Sequence, residues 1–118
     1  MLLYTCPKGT GKEGKKMIMK FKDHPNAQAK MIINEDGSME LQSYETIVVK
    51  VDREGWLRIV TMRNPKTGEL SMTTGHHISW FLRELGIKYQ PYQLAKQLYF
   101  DNAEMNVSTG EIRIHMTL

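Results

Sequence analysis

The hydrophobic period of this chain changes once in the middle and changes back near the end. Residues 17–22 and 56–62 alternate apolar and polar positions, whereas Ile78, Phe81, Leu82 and Leu85 fall at i, i+3, i+4 and i+7. Alternation fills one face of a strand and the second spacing one face of a helix, so both kinds of element must coexist. The tail returns to strand, with Ile112, Ile114, Met116 and Leu118 again at alternate positions. The order β-hairpin, two helices, β-hairpin predicts an α+β fold, an antiparallel sheet with the helices packed on one face.

Turn chemistry places the elements within that order. Residues 17–22 read as a short strand ended by Pro25, and residues 31–33 as another, closed by Asn34, Glu35, Asp36 and Gly37, whose Asp-Gly pair favours a tight hairpin. The β-branched run at 46–51, within a β stretch at 38–52, is the clearest strand signal, and the turn at 52–55 folds it back onto residues 56–62. Pro65 and Gly68 mark a turn at 63–68, where proline presets φ and glycine supplies a positive one. Thr73 or Thr74 can cap the first helix, and Gly86 stands where a C′ residue belongs. The second helix fits Pro91–Phe100, with the proline in its first turn and Leu94 and Leu98 facing inward. Residues 105–107 and 112–118 form the last hairpin around a turn at 108–111.

At 118 residues the chain is long enough for one core and too short for two. The reading is therefore a flexible, basic Gly/Lys-rich arm at 1–16 and a single domain at 17–118. The apolar runs are too short for a membrane span, and the Lys-dotted N-terminus lacks the apolar stretch of a signal peptide. Cys6 has no partner for an internal disulfide, which points to a reducing, cytoplasmic setting. The net charge of +3 is unevenly placed. Residues 1–30 hold seven lysines against Glu13 and Asp23, a balance of +5, and the rest holds nine cations against eleven carboxylates, a balance of −2. Lys12, Lys15, Lys16, Lys20 and Lys22 could neutralise nucleic-acid phosphates, with Lys50, Arg53 and Arg58 of the hairpin beside them.

Few residues carry the spacing of known chemistry. Gly9 to Lys15 match the G-x-x-x-x-G-K pattern of a phosphate-binding loop, but Lys16 stands where Ser or Thr must hold Mg²⁺, and a strand follows where a helix is needed. His24, His76, His77, His115 and Cys6 lack the closely paired spacing of a zinc site, and no cofactor is implied. There is no Ser-His-acid order with an elbow motif, so the chain reads as a non-enzyme. Trp80 is the anomaly, because it falls off the apolar stripe of its helix with His76 and Arg83 one turn to either side. Trp and Arg dominate binding hot spots, which marks His76, His77, Trp80 and Arg83, with Trp56 and Arg58, as partner-binding candidates.

Two segments carry a resemblance. Leu41, Ser43, Tyr44, Thr46 and Val48 give L-x-S-Y-x-T-x-V, and Ser71, Thr73, Thr74, His77, Ile78 and Phe81 give S-x-T-T-x-x-H-I-x-x-F. Over about residues 39–114 the chain resembles a family of small uncharacterised domains borne by phages, plasmids and other mobile elements of low-GC Gram-positive bacteria. That resemblance implies an accessory protein inside a bacterial host, of a kind that often blocks host machinery. The leading expectation is thus a binder that inhibits a host defence effector, a CRISPR nuclease of the Cas9 type first among them. Carboxylates mimicking phosphates could occupy its basic channel, with Glu35, Asp36, Glu40, Glu45, Asp52, Glu54, Asp101 and Glu104 as candidates. The alternative is a small nucleic-acid-binding module using the basic N-terminal arm.

Overall fold

Polar turns set the strand boundaries. In the computed structural model, which describes residues 16–114, Asp36 accepts hydrogen bonds from the Ser38 amide and hydroxyl, and Asp52 from the amides of Glu54 and Trp56. Each carboxylate stands in for a backbone acceptor and fixes its reversal. Gly37 and Gly55 supply the positive φ that these two turns require.

Seven strands result: β1 (Met17–Met19), β2 (Ala29–Ile33), β3 (Met39–Ser43), β4 (Thr46–Val51), β5 (Trp56–Ile59), β6 (Ala103–Asn106) and β7 (Ile112–Ile114). They form one antiparallel meander in sequence order. The α+β class and the pairing by hairpins are as expected, but the sheet dominates more than a hairpin-helices-hairpin scheme implies, since five strands precede the helices. The stretch at 38–52 is two strands, because the chain reverses at Tyr44, which takes a left-handed φ of 56°. A register shift follows between Leu41 and Gln42, so that Leu41 faces Val49 while Gln42 faces Ile47. The extra residue lets the neighbours Val48 and Val49 both reach the core.

Helix α1 (Met72–Glu84) and helix α2 (Pro91–Phe100) cover one face of this sheet. Ser71, not Thr73 or Thr74, is the cap: its backbone is extended and its hydroxyl accepts from the Thr74 amide at 3.1 Å. Gly86 closes α1 with φ 94°, as its position implied. The inward stripe of Ile78, Phe81 and Leu82 meets Leu41, Val49, Leu57 and Met105 of the sheet, and Ala95 and Leu98 of α2 complete the core. Burying such side chains is worth about 1.5–3 kcal/mol each relative to exposure, and this layer holds the helices in place.

The opposite face of the sheet is polar. Cross-strand register lines up Glu40, Lys50, Arg58, Glu104 and Arg113 in one row of mixed sign. Ile112 and Ile114, expected to share an apolar face with Met116 and Leu118, are exposed at 45% and 62% because β7 lies at the sheet edge. Met116 and Leu118 lie outside the described residues, as do Lys12, Lys15 and the Gly9 to Lys15 pattern of the arm.

Candidate binding site on helix α1

Helix phase sends the neighbours His76 and His77 to different environments. His77 is turned inward and only 2% exposed, with its Nδ1 2.8 Å from the hydroxyl of Ser43, also 2% exposed. The Thr74 hydroxyl lies 3.4 Å from the same oxygen. Burial holds the His77 pKa below the usual imidazole value, and the charges of His76 and His24 push in the same direction. His77 is thus a neutral, bonded residue that ties α1 to the end of β3.

Above this tie lies a cleft of about 640 Å³ between the β3–β4 reversal, the loop at 63–66 and the start of α1. Its wall carries the hydroxyls of Ser43, Tyr44, Thr46, Ser71 and Thr74, with Glu45, Arg63 and Lys66 at the edge. Arg63 is already committed, donating to the Tyr99 hydroxyl at 3.1 Å and the Gly68 carbonyl at 3.0 Å. No carboxylate hydrogen-bonds His77 among the described residues, so the Ser43–His77 pair lacks the third group that would orient a base.

The outer flank of α1 is built differently. His76, Trp80 and Arg83 converge there with Met72, Ser79 and Tyr92 around a groove of about 310 Å³. Trp80 is held from behind by the β1–β2 loop: the His24 ring stacks on it at 3.6 Å and 3°, and Phe21 meets it edge-on at 5.7 Å. His77 touches the same indole at 5.2 Å from the core side. Tyr92, the opposing wall, rests on the one glycine inside α1. A Cβ at Gly75 would stand 2.5 Å from Tyr92 Cε1, so the ring seats against bare helix backbone. Lys96 Nζ lies 5.5 Å from the Tyr92 ring centroid, and Arg83 makes no ion pair among the described residues.

The six partner-binding candidates therefore do not form one surface. His76, Trp80 and Arg83 come together, His77 lies beneath them in the core, and Trp56 and Arg58 sit on the sheet face turned away from the helices. Trp56 is stacked by Arg113, whose guanidinium carbon lies 3.8 Å from the ring centroid. Sequence reasoning missed Gly75 and Lys96 and read His24 as a metal ligand at most. A glycine within a helix costs about 1 kcal/mol against alanine, and that cost is the signal that could have flagged a close approach at Gly75. His24 gives no such signal, since its contact with Trp80 spans more than fifty residues of sequence. Among the described residues no group of three His, Cys, Asp or Glu side chains could hold a metal ion.

The candidate carboxylates divide as well. The turns at 34–37, 52–55 and 107–111 share one end of the sheet and bring together Glu35, Asp36, Asp52, Glu54 and Glu111, near Arg53 and Lys16. The Asp36 pKa is lowered, first by the Ser38 hydroxyl and amide and then by the charge of Arg53. Glu40 and Glu104 lie on the sheet face, Glu45 edges the cleft and Asp101 ends α2.

Architecture places the chain among small α+β domains built on an antiparallel meander, and no described helix is long and apolar enough to cross a membrane. The chain belongs to a family of unknown function, DUF8033, whose model matches residues 15–101. No curated protein and no solved structure matches it.

Proposed function

We propose that this domain is a non-enzymatic binding protein that acts by occupying a surface of a partner protein, with the outer flank of α1 as its contact. One observation carries this reading: both aromatic walls of the groove are fixed before any partner arrives, Trp80 by His24 and Phe21, Tyr92 by the bare backbone at Gly75. A rigid aromatic surface loses little side-chain entropy on binding, which is where much of the cost of association lies. Trp, Tyr, Arg and Met, the residue types present, are those enriched at interfaces. Against an enzymatic role stand the burial of Ser43 and the missing orienting group on His77.

The partner implied by the resemblance to mobile-element domains is a host defence effector in the bacterial cytoplasm, a Cas9-type CRISPR nuclease first among them. The carboxylates gathered at the turn end of the sheet suit the basic nucleic-acid channel of such a nuclease. The nucleic-acid alternative rests on Lys12, Lys15, Lys16, Lys20 and Lys22, and the sheet face adds little to it, since Glu40 and Glu104 share the row of Lys50, Arg58 and Arg113. The test mixes the purified protein with guide-loaded Cas9-type nucleases and follows cleavage of target DNA. The expected result is stoichiometric inhibition with a stable complex on size exclusion, weakened by Met72→Asp or Arg83→Glu. Uninhibited cleavage without complex formation across such a panel sinks the nuclease assignment, and binding to bare DNA at low salt in its place favours the alternative.

A further inference from the structure

Among the described residues the lining of the α1 groove contains no carboxylate. Arg83 is exposed at one side and Lys96 stands over Tyr92 at the other, and Glu84, one turn beyond Trp80 on the same flank, lies outside the lining. Elsewhere the surface is mixed: the sheet face sets Glu40 and Glu104 among Lys50, Arg58 and Arg113, and the cleft edge sets Glu45 against Arg63 and Lys66. The two rim cations are not consumed by the fold, since neither makes an ion pair among the described residues. Between them the floor is apolar and aromatic, with Met72 66% exposed beside Trp80 and Tyr92.

We infer that this groove takes an acidic peptide segment of the partner, an aliphatic or aromatic side chain seated on Trp80 and Tyr92 with carboxylates beside it on Arg83 and Lys96. The inference rests on the reading of the α1 flank as a binding surface and adds the chemistry of its occupant. An apolar anchor alone would leave two cations at the contact edge unanswered, and a basic segment would be repelled by them. Carboxylates placed outside the anchor complete both ion pairs at a partly desolvated rim, where charge complementarity selects among partners more than it adds affinity.

The test uses the full chain and two capped hexapeptides, one of two leucines and four glutamates, the other of two leucines and four lysines. Binding is read from the indole N–H resonance of Trp80, with that of Trp56, on the far face of the sheet, as the internal reference. The acidic peptide is expected to move the Trp80 signal and not the Trp56 signal, with a dissociation constant about tenfold or more below that of the basic peptide. Raising the salt concentration should shrink that margin. Replacing both rim cations, Arg83→Glu with Lys96→Glu, should reverse the preference while leaving the far-UV spectrum unchanged. Equal response to the two peptides, or an unchanged preference in the doubly reversed variant, overturns the inference and leaves the groove as a binding surface. If neither peptide moves the Trp80 signal, the inference and the groove reading fall together.

Discussion

His76 and His77 are adjacent in sequence, and their surroundings differ as much as any two places in the molecule. His77 is enclosed between β3 and α1 and bonded to Ser43, whereas His76 stands on the exposed groove flank. A rotation of about 100° per residue is enough to separate them, so residue type alone says nothing about role on a helix. Phase against the apolar stripe decides it. The inner side of α1 should then govern stability and the outer side binding.

Breaking the inner side gives the largest effect. His77→Ala removes a buried ring from contact with Trp80 and Tyr44 and leaves the Ser43 hydroxyl without its 2.8 Å partner. Cavity and unpaired-group costs together suggest a loss of about 2–4 kcal/mol in chemical denaturation. Ser43→Ala combined with His77→Leu, which removes both polar partners and keeps volume, should recover a good part of that loss. If the single variant costs no more than a surface substitution, the buried pair is not a structural tie.

Gly75→Ala tests the seam between the two sides. Helix propensity favours alanine by about 1 kcal/mol, but the new methyl meets the Tyr92 ring, and overpacking costs about 1–3 kcal/mol. A net loss near 1 kcal/mol is expected, together with displaced Tyr92 ring resonances. A stabilised variant with unmoved Tyr92 signals would mean that the ring does not rest on the backbone there.

Acidification tests the enclosure of His77. The folded-state pKa of His77 lies below the ordinary value of 6.5, so between those two values the unfolded chain binds more protons than the folded one. Stability from this group is complete above pH 6.5 and is lost as pH falls through the folded value. Denaturation midpoints should therefore drop between neutral and mildly acidic pH. His76→Gln should soften that drop, because one of the charges that lowers the His77 pKa is gone. A midpoint flat with pH would show that His77 accepts a proton without penalty.

Much of this frame was legible in the chain. The i, i+3, i+4, i+7 stripe gave α1 its inner face, Gly86 its end, and Pro91 the start of α2, because each of these rests on local geometry. The reversal at Tyr44 was not legible. A non-glycine residue held left-handed carries no composition signal, and the run from 38 to 52 consequently read as a single β stretch. Trp80 stood out as misplaced, which was correct as a flag, yet its half-buried setting comes from Phe21 and His24, supplied by a loop distant in sequence. Contacts of that kind are fixed by topology, and neither period nor spacing encodes them. The same holds for Trp56 and Arg58: their alternation placed them on one strand face, but only the helix packing shows that this face is turned away from Trp80.

The outer side of α1 yields the smallest stability effect and the most diagnostic one. Arg83 is exposed and makes no ion pair among the described residues, so Arg83→Glu should change unfolding free energy by no more than about 0.5 kcal/mol. It should still lower affinity for an anionic partner, because a favourable charge pair becomes a repulsive one at the groove rim. Lys88→Glu, an exposed reversal outside the groove lining, supplies the control for net charge alone. If both variants weaken binding equally, the partner senses the overall field of the protein and not the groove. If Arg83→Glu alone weakens it with the denaturation midpoint unmoved, contact and scaffold separate along α1 as the two histidines do.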